Sequence, residues 1–88
     1  MSKMVVTNVV LEVERWLDGK AEREGLTGKW LTNVTNCDAV DGSNNIAITA
    51  DLYDMAALQA AMASPSSEDI AAEGRHGAIQ PIVAYIER

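Results

Sequence analysis

The side chains able to do chemistry in this 88-residue sequence are few and far apart. Its single histidine, His76, sits in Gly74-Arg75-His76-Gly77, a stretch whose glycines read as a loop. Loop polar residues are ordinarily solvated, so the default expectation is an exposed imidazole. Turned inward beside Arg75, it could instead meet an anionic ligand or act as a general base. The single cysteine, Cys37, would make a nucleophile–base pair with His76 only within hydrogen-bond reach. No third orienting group is visible, and Cys37 at a strand end is expected to pack as a small apolar residue. One His, one Cys and scattered carboxylates do not provide a metal site, which needs several ligands at workable spacing. The six glycines match neither the phosphate loop nor the dinucleotide fingerprint, so no cofactor is expected. The acidic pairs Glu12/Glu14 and Glu68/Asp69 are accounted for by helix starts.

A second group consists of polar and aromatic residues embedded in apolar runs. Asn8, Thr32, Thr49 and Tyr85 must find partners if buried, either across the strands or on a bound molecule. Trp30 opens a strand, where its indole could line a ligand cavity or lie in a dimer seam. Tyr53 and Tyr85 each bring an aromatic body and a hydroxyl that seeks a partner when buried. Trp16 recurs with Val13, Leu17 and Ala21 at helical spacing and is expected in the core.

The elements that must hold these residues are legible in outline. Met4 to Val10 reads as a β-branched strand. Glu12 then caps a helix that Gly25 ends in a left-handed conformation, with Arg15, Asp18, Glu22 and Arg23 on its solvated face. Lys29 to Cys37 predicts a second strand, Asp38 to Asn45 a hairpin loop, and Asn45 to Leu52 a third strand. Asp54 caps a second helix with Met55, Leu58, Ala61 and Met62 as its buried stripe, and Pro65 stops it. Ser67 caps a short helical segment whose last member is Glu73, before Gly74. Ile79 to Ile86 closes the chain as a fourth strand. The order β-α-β-β-α-β over residues 1–88 predicts one ferredoxin-like α+β domain, a four-stranded antiparallel sheet with helices on one face.

That sheet is apolar on both sides. Strand one offers Met4, Val6 and Val10 to one face and Val5 and Val9 to the other. Strand four offers Ile79, Val83 and Tyr85 to one face and Ile82, Ala84 and Ile86 to the other. A half-solvated antiparallel strand would alternate apolar with polar. Two helices cover one face only, and soluble monomers rarely leave a large apolar patch open. A homodimer packed sheet against sheet is therefore expected. The absence of Phe, with abundant Ala, Val and Met, leaves room for an internal cavity.

Charge and length narrow the function classes. A net charge of −6 without a local Lys/Arg cluster repels a phosphate backbone, so no nucleic-acid partner is expected. No segment approaches the roughly 20 apolar residues that span a bilayer, so no membrane partner is expected. Met1-Ser2-Lys3 leads straight into strand residues without a secretory signal, which predicts a cytoplasmic protein.

The stretch Val10-Leu11-Glu12-Val13-Glu14-Arg15-Trp16, with Gly25, Asp51 to Asp54, Ser64-Pro65, Gly74 and Pro81, resembles the dimeric α+β barrel superfamily. The likeness is to its antibiotic-biosynthesis monooxygenase-like branch, and within that to small bacterial members. It implies a homodimeric barrel and, as one activity, cofactor-free oxygenation or isomerisation of a small aromatic metabolite. Related sequences often carry a His where this chain has Asn8, an amide that hydrogen-bonds but takes no proton. Three functions stay open. The first is binding of a small apolar or amphipathic molecule, fatty-acid-like or aromatic, with Asn8, Trp30, Thr49, Arg75, His76 and Tyr85 as candidate contacts and Arg75 as the carboxylate partner. The second is the cofactor-independent monooxygenase or isomerase, and the third a structural dimerisation module without a ligand.

Overall fold

A computed structural model describes residues 2–88. Met1, read above as leading into the first strand, lies outside them. The elements are β1 (Ser2–Val10), α1 (Val13–Asp18), α2 (Lys20–Thr27), β2 (Leu31–Asp38), β3 (Asn45–Leu52), α3 (Met55–Ala63), α4 (Ser67–His76) and β4 (Ala78–Ile86). The strands pair antiparallel in the order β2-β3-β1-β4, the expected ferredoxin-like α+β arrangement.

Strand alternation sorts side chains between the two faces. Met4 lies opposite Ala50 and Ile86, and Val6 opposite Ile48 and Ala84, all on the side where the helices pack. Two buried clusters form there. One joins Met4, Trp30, Leu31, Ala50, Leu52 and Leu58, and the other joins Val10, Trp16 and Ile46. Trp16 is 2% exposed, as its helical spacing predicts. The opposite face carries the row Tyr85–Val5–Thr49–Thr35 across all four strands. Among the described residues no helix covers it: Val9 is 42%, Val83 40% and Tyr85 57% exposed.

The helices depart from expectation in ways that matter for the site. The first is two helices, broken at Gly19, and the second of them runs through Gly25 to Thr27. Gly19 is required by a close approach, because a Cβ there would lie 2.2–2.6 Å from ring atoms of His76. The break turns Ala21 outward, so it leaves the predicted stripe and is exposed. In α3, Asp54 caps as predicted, its Oδ1 accepting from the Ala57 N–H at 2.9 Å, but Met55 and Met62 are exposed and Leu58 is the buried anchor. The cap of α4 is Ser66 rather than Ser67, its Oγ accepting from the Asp69 N–H at 3.1 Å. That helix continues past Gly74 to His76 and ends on Gly77, whose φ of 75° is the left-handed conformation suited to glycine.

Both edge strands are irregular. β2 bulges between Thr32 and Thr35, with Asn33 at φ 54°, a conformation asparagine tolerates. In β4 the pairing jumps from Val83 opposite Thr7 to Ile79 opposite Val9. This leaves Asn8 facing the extra residues around Gln80 and Pro81. Among the described residues, no helix is long and apolar enough to cross a membrane.

Candidate functional site

A cavity of about 320 Å³ lies between the sheet and the helices. Its walls are largely apolar, with Met4, Val6 and Ile48 from the sheet and Leu58 and Ala61 from α3. Arg23, Asn36 and His76 also line it and form one hydrogen-bonded group. A more open groove of about 430 Å³ lies on the uncovered side of the sheet, near Thr7, Cys37 and Val83. Asn8 and Gln80 line both spaces, which places the β4 irregularity between them.

His76 is 5% exposed, which overturns the expectation of a solvated loop residue. It belongs to the last turn of α4, and local chemistry holds that turn in place. Arg15 donates from Nε to the Arg75 carbonyl at 2.7 Å and from Nη2 to the Gly74 carbonyl at 2.8 Å. A guanidinium thus satisfies carbonyls that a helix end leaves unpaired. The imidazole packs flat into the space left by the missing Cβ of Gly19.

The two ring nitrogens of His76 face different partners. Nε2 lies 2.8 Å from Glu22 Oε1, and Nδ1 lies 3.4 Å from Nη1 of Arg23. Arginine offers donors only, so the Nδ1 contact requires an acceptor there, and Nε2 then donates to the carboxylate. The pattern is complete with a neutral imidazole protonated on Nε2. Glu22 also accepts from Arg75, with Nη2 to Oε2 at 2.7 Å. The Arg75 hydrogen bond is the main cause that holds the Glu22 carboxyl below its usual range; burial opposes it, and the His76 hydrogen bond adds a smaller lowering.

Arg23 was expected on the solvated face of its helix, and the structure corrects this. Its guanidinium is half-buried, stacks 4.4 Å above the Trp16 ring, and donates to the Trp16 carbonyl and, at 3.0 Å, to Asn36 Oδ1. Burial lowers its pKa from the ordinary value, with Glu24 opposing. Arginine nonetheless remains charged in proteins. Asn36, which sequence reasoning passed over, turns toward the helices because the β2 bulge shifts the alternation after Thr32.

Of the six candidate contacts, the structure brings Asn8, Trp30 and His76 to the cavity. Thr49 and Tyr85 share the cross-strand row on the uncovered face, and Arg75 lies on the outer surface, engaged with Glu22. Cys37 lines the open groove, while both His76 nitrogens face Glu22 and Arg23. A signal for Arg23 was present: it stands seven residues after Trp16, two helical turns along the same face.

No protein-family model matches the chain, and no curated protein sequence matches it. Solved structures do. A candidate antibiotic biosynthesis monooxygenase from Bordetella bronchiseptica superposes with a TM-score of 0.71 at 9% identity, covering 99% of this chain and 94% of that one. A second antibiotic biosynthesis monooxygenase gives 0.59 at 10% identity, covering 100% and 97%. At so low an identity, and over essentially their whole length, what this chain shares with the antibiotic biosynthesis monooxygenase-like proteins is their ferredoxin-like α+β fold.

Proposed function

We propose that the chain is a homodimeric domain that encloses a small apolar or amphipathic molecule, fatty-acid-like or aromatic, between its sheet and its helices. The observation that carries this reading is the cavity, whose volume of about 320 Å³ sits at the small end of ligand sites. Its make-up is mixed, with apolar side chains of the sheet and α3 beside polar ones such as Arg23, Asn36 and His76, which hydrogen-bond to one another. The homodimer is supported by the uncovered face, where Val9, Ile79, Val83 and Tyr85 stay partly exposed. Burying each Val or Ile side chain is worth roughly 1.5–3 kcal/mol, and a second copy offers the same apolar surface in return. Native mass spectrometry of freshly purified protein tests both parts. The expected species is a two-chain complex that releases a small molecule on activation. A bare two-chain complex would favour the structural dimerisation module.

A specific observation favours the enzyme as a second reading. His76 lies on the cavity wall, and Glu22 orients its ring as a carboxylate orients a catalytic imidazole. In a cofactor-independent monooxygenase or isomerase, His76 Nδ1 would exchange its 3.4 Å contact with Arg23 for an acidic C–H of a small aromatic metabolite and take that proton. Glu22 would steady the resulting imidazolium and Arg23 the carbanion. Hydrogen–deuterium exchange at the acidic carbon of an anthrone probe, followed by proton NMR, tests this. Exchange that is faster with the protein than with buffer and is lost in His76→Gln supports the enzyme. Equal exchange in all three samples removes it.

A further inference from the structure

We infer that α3 is the lid of the cavity, the wall that swings aside to admit a guest through the seam between α2 and the elbow joining α3 to α4. This rests on the reading of the cavity as a ligand site and adds the route by which the site is filled.

The mouth is marked by the lining residues that also meet solvent. Four of them are exposed, Lys20, Met62, Pro65 and Gln80. Gln80 is engaged with α4, its Nε2 donating to the Glu73 carboxylate at 3.2 Å. The other three belong to α2, to the end of α3 and to the elbow that follows it. The cavity therefore reaches the surface where these elements meet.

The two sides of that mouth are held unequally. α2 is tied to three neighbours: Glu22 pairs with Arg75 and His76 of α4, and Arg23 donates to the Trp16 carbonyl of α1 and to Asn36 of β2. α1 is tied to α4 in turn through Arg15. Among the described residues, no hydrogen bond or ion pair joins α3 to another element, and its contacts with Asp54 and Ser64 are those of its own caps. Of its nine residues Leu58 alone is buried, with Ala57 and Ala61 partly buried against the same cluster. An element with few buried apolar contacts opens at a fraction of the cost of global unfolding, and lids are drawn from such elements.

The flanks of α3 suit a swing. Before it the chain is fixed, because the Tyr53 N–H donates to the Trp30 carbonyl at 2.9 Å and the Tyr53 hydroxyl to the Gly28 carbonyl. After it Ser64, Pro65 and Ser66 are exposed, and α4 begins under the separate Ser66 cap. No charged residue stands between Met55 and Ser66, so moving α3 breaks no ionic contact.

Stopped-flow fluorescence of N-phenyl-1-naphthylamine, a neutral apolar probe, separates the route from the cavity itself. Asp54→Ala removes the cap of α3 and Ala60→Gly weakens its exposed side, and neither residue lines the cavity. Each should raise the open fraction about fivefold, so that the on-rate and off-rate of the probe rise together by about that factor while Kd stays within about twofold. Ser43→Ala, in the hairpin between β2 and β3, should leave both rates within about twofold. Amide hydrogen exchange of the wild-type chain is expected to be about tenfold or more faster over residues 58–63 than over 71–76. Where one α3 variant does not fold by circular dichroism, the other is read alone. Probe binding at wild-type rates in the α3 variants, or exchange over 58–63 no faster than over 71–76, would overturn the lid and leave the enclosed guest standing. Rates that rise as much in Ser43→Ala would also overturn the lid, tracing the effect to general loosening. A probe that does not bind the wild-type chain would overturn both readings.

Discussion

The two faces of the sheet are made by alternate residues of the same strands, yet they differ in kind. On the helix side, Met4, Ala50 and Leu52 are sealed under Trp30 and Leu58, and the layer opens into a cavity with unpaired donors beside it. On the other side, Val5, Thr49 and Tyr85 form a row of aliphatic, hydroxyl and aromatic groups that leaves no unpaired buried polar atom among the described residues. On the proposed reading, the inner side is the place for a ligand and the uncovered apolar side the place for a second copy. The comparison teaches that alternate residues of one four-stranded layer can build two surfaces of different character.

Substitutions on the two faces should therefore fail differently. The largest effect is expected from Trp16→Ala, which empties the core under α1 and should cost about 3–5 kcal/mol in chemical denaturation. A loss below 1 kcal/mol would show that the inner face is not the main source of stability. Val83→Asp should leave the single-chain fold intact and weaken association roughly a hundredfold or more, because a carboxylate would be buried without a partner. Sedimentation reads it, and an unchanged assembly would mean that the uncovered face is not the interface.

Smaller effects sharpen the inner site. Gly19→Ala inserts a Cβ against the His76 ring and is expected to cost about 1–3 kcal/mol, with a shifted His76 side-chain NMR signal. An unshifted signal would refute the packing described. Asp54→Ala removes the cap of α3 and should cost about 1 kcal/mol by thermal unfolding, with no change in association.

The smallest effect concerns acid. The Glu22 carboxyl is held below its usual range in the folded chain, so its charged form is favoured by folding. Its contribution is complete above the ordinary carboxylate value and is lost as pH falls through the lowered folded value. Glu22→Gln should therefore narrow the gap between denaturation midpoints measured at neutral and at acid pH. A residual gap is expected from Asp51 and Asp41, which are also held low by Asn33 and Ser43 respectively. A gap as wide as wild type would mean that the contacts with Arg75 and His76 do not survive in solution.

Local signals carried most of the fold and little of the site. The strands, the hairpin, the Asp54 cap and the sorting of β1 and β4 residues onto two faces follow from alternation and turn chemistry. The break at Gly19 does not, because its cause is an imidazole brought from the far end of α4. His76 was misread for a related reason. Two nearby glycines resemble a loop, yet only Gly77 takes a left-handed conformation while Gly74 is helical. The pairing of Arg75 with Glu22 joins two helices distant in sequence, so nothing local forecast which arginine would be left for the cavity. The cavity itself was foreshadowed by the absence of Phe, but its polar wall depends on a bulge in β2 that composition cannot show.

Sedimentation equilibrium of the wild-type chain at micromolar concentration bears most directly on the division between the two faces. The account predicts a species of two chains that Val83→Asp converts to one. A wild-type chain that stays folded and single across that range would contradict it.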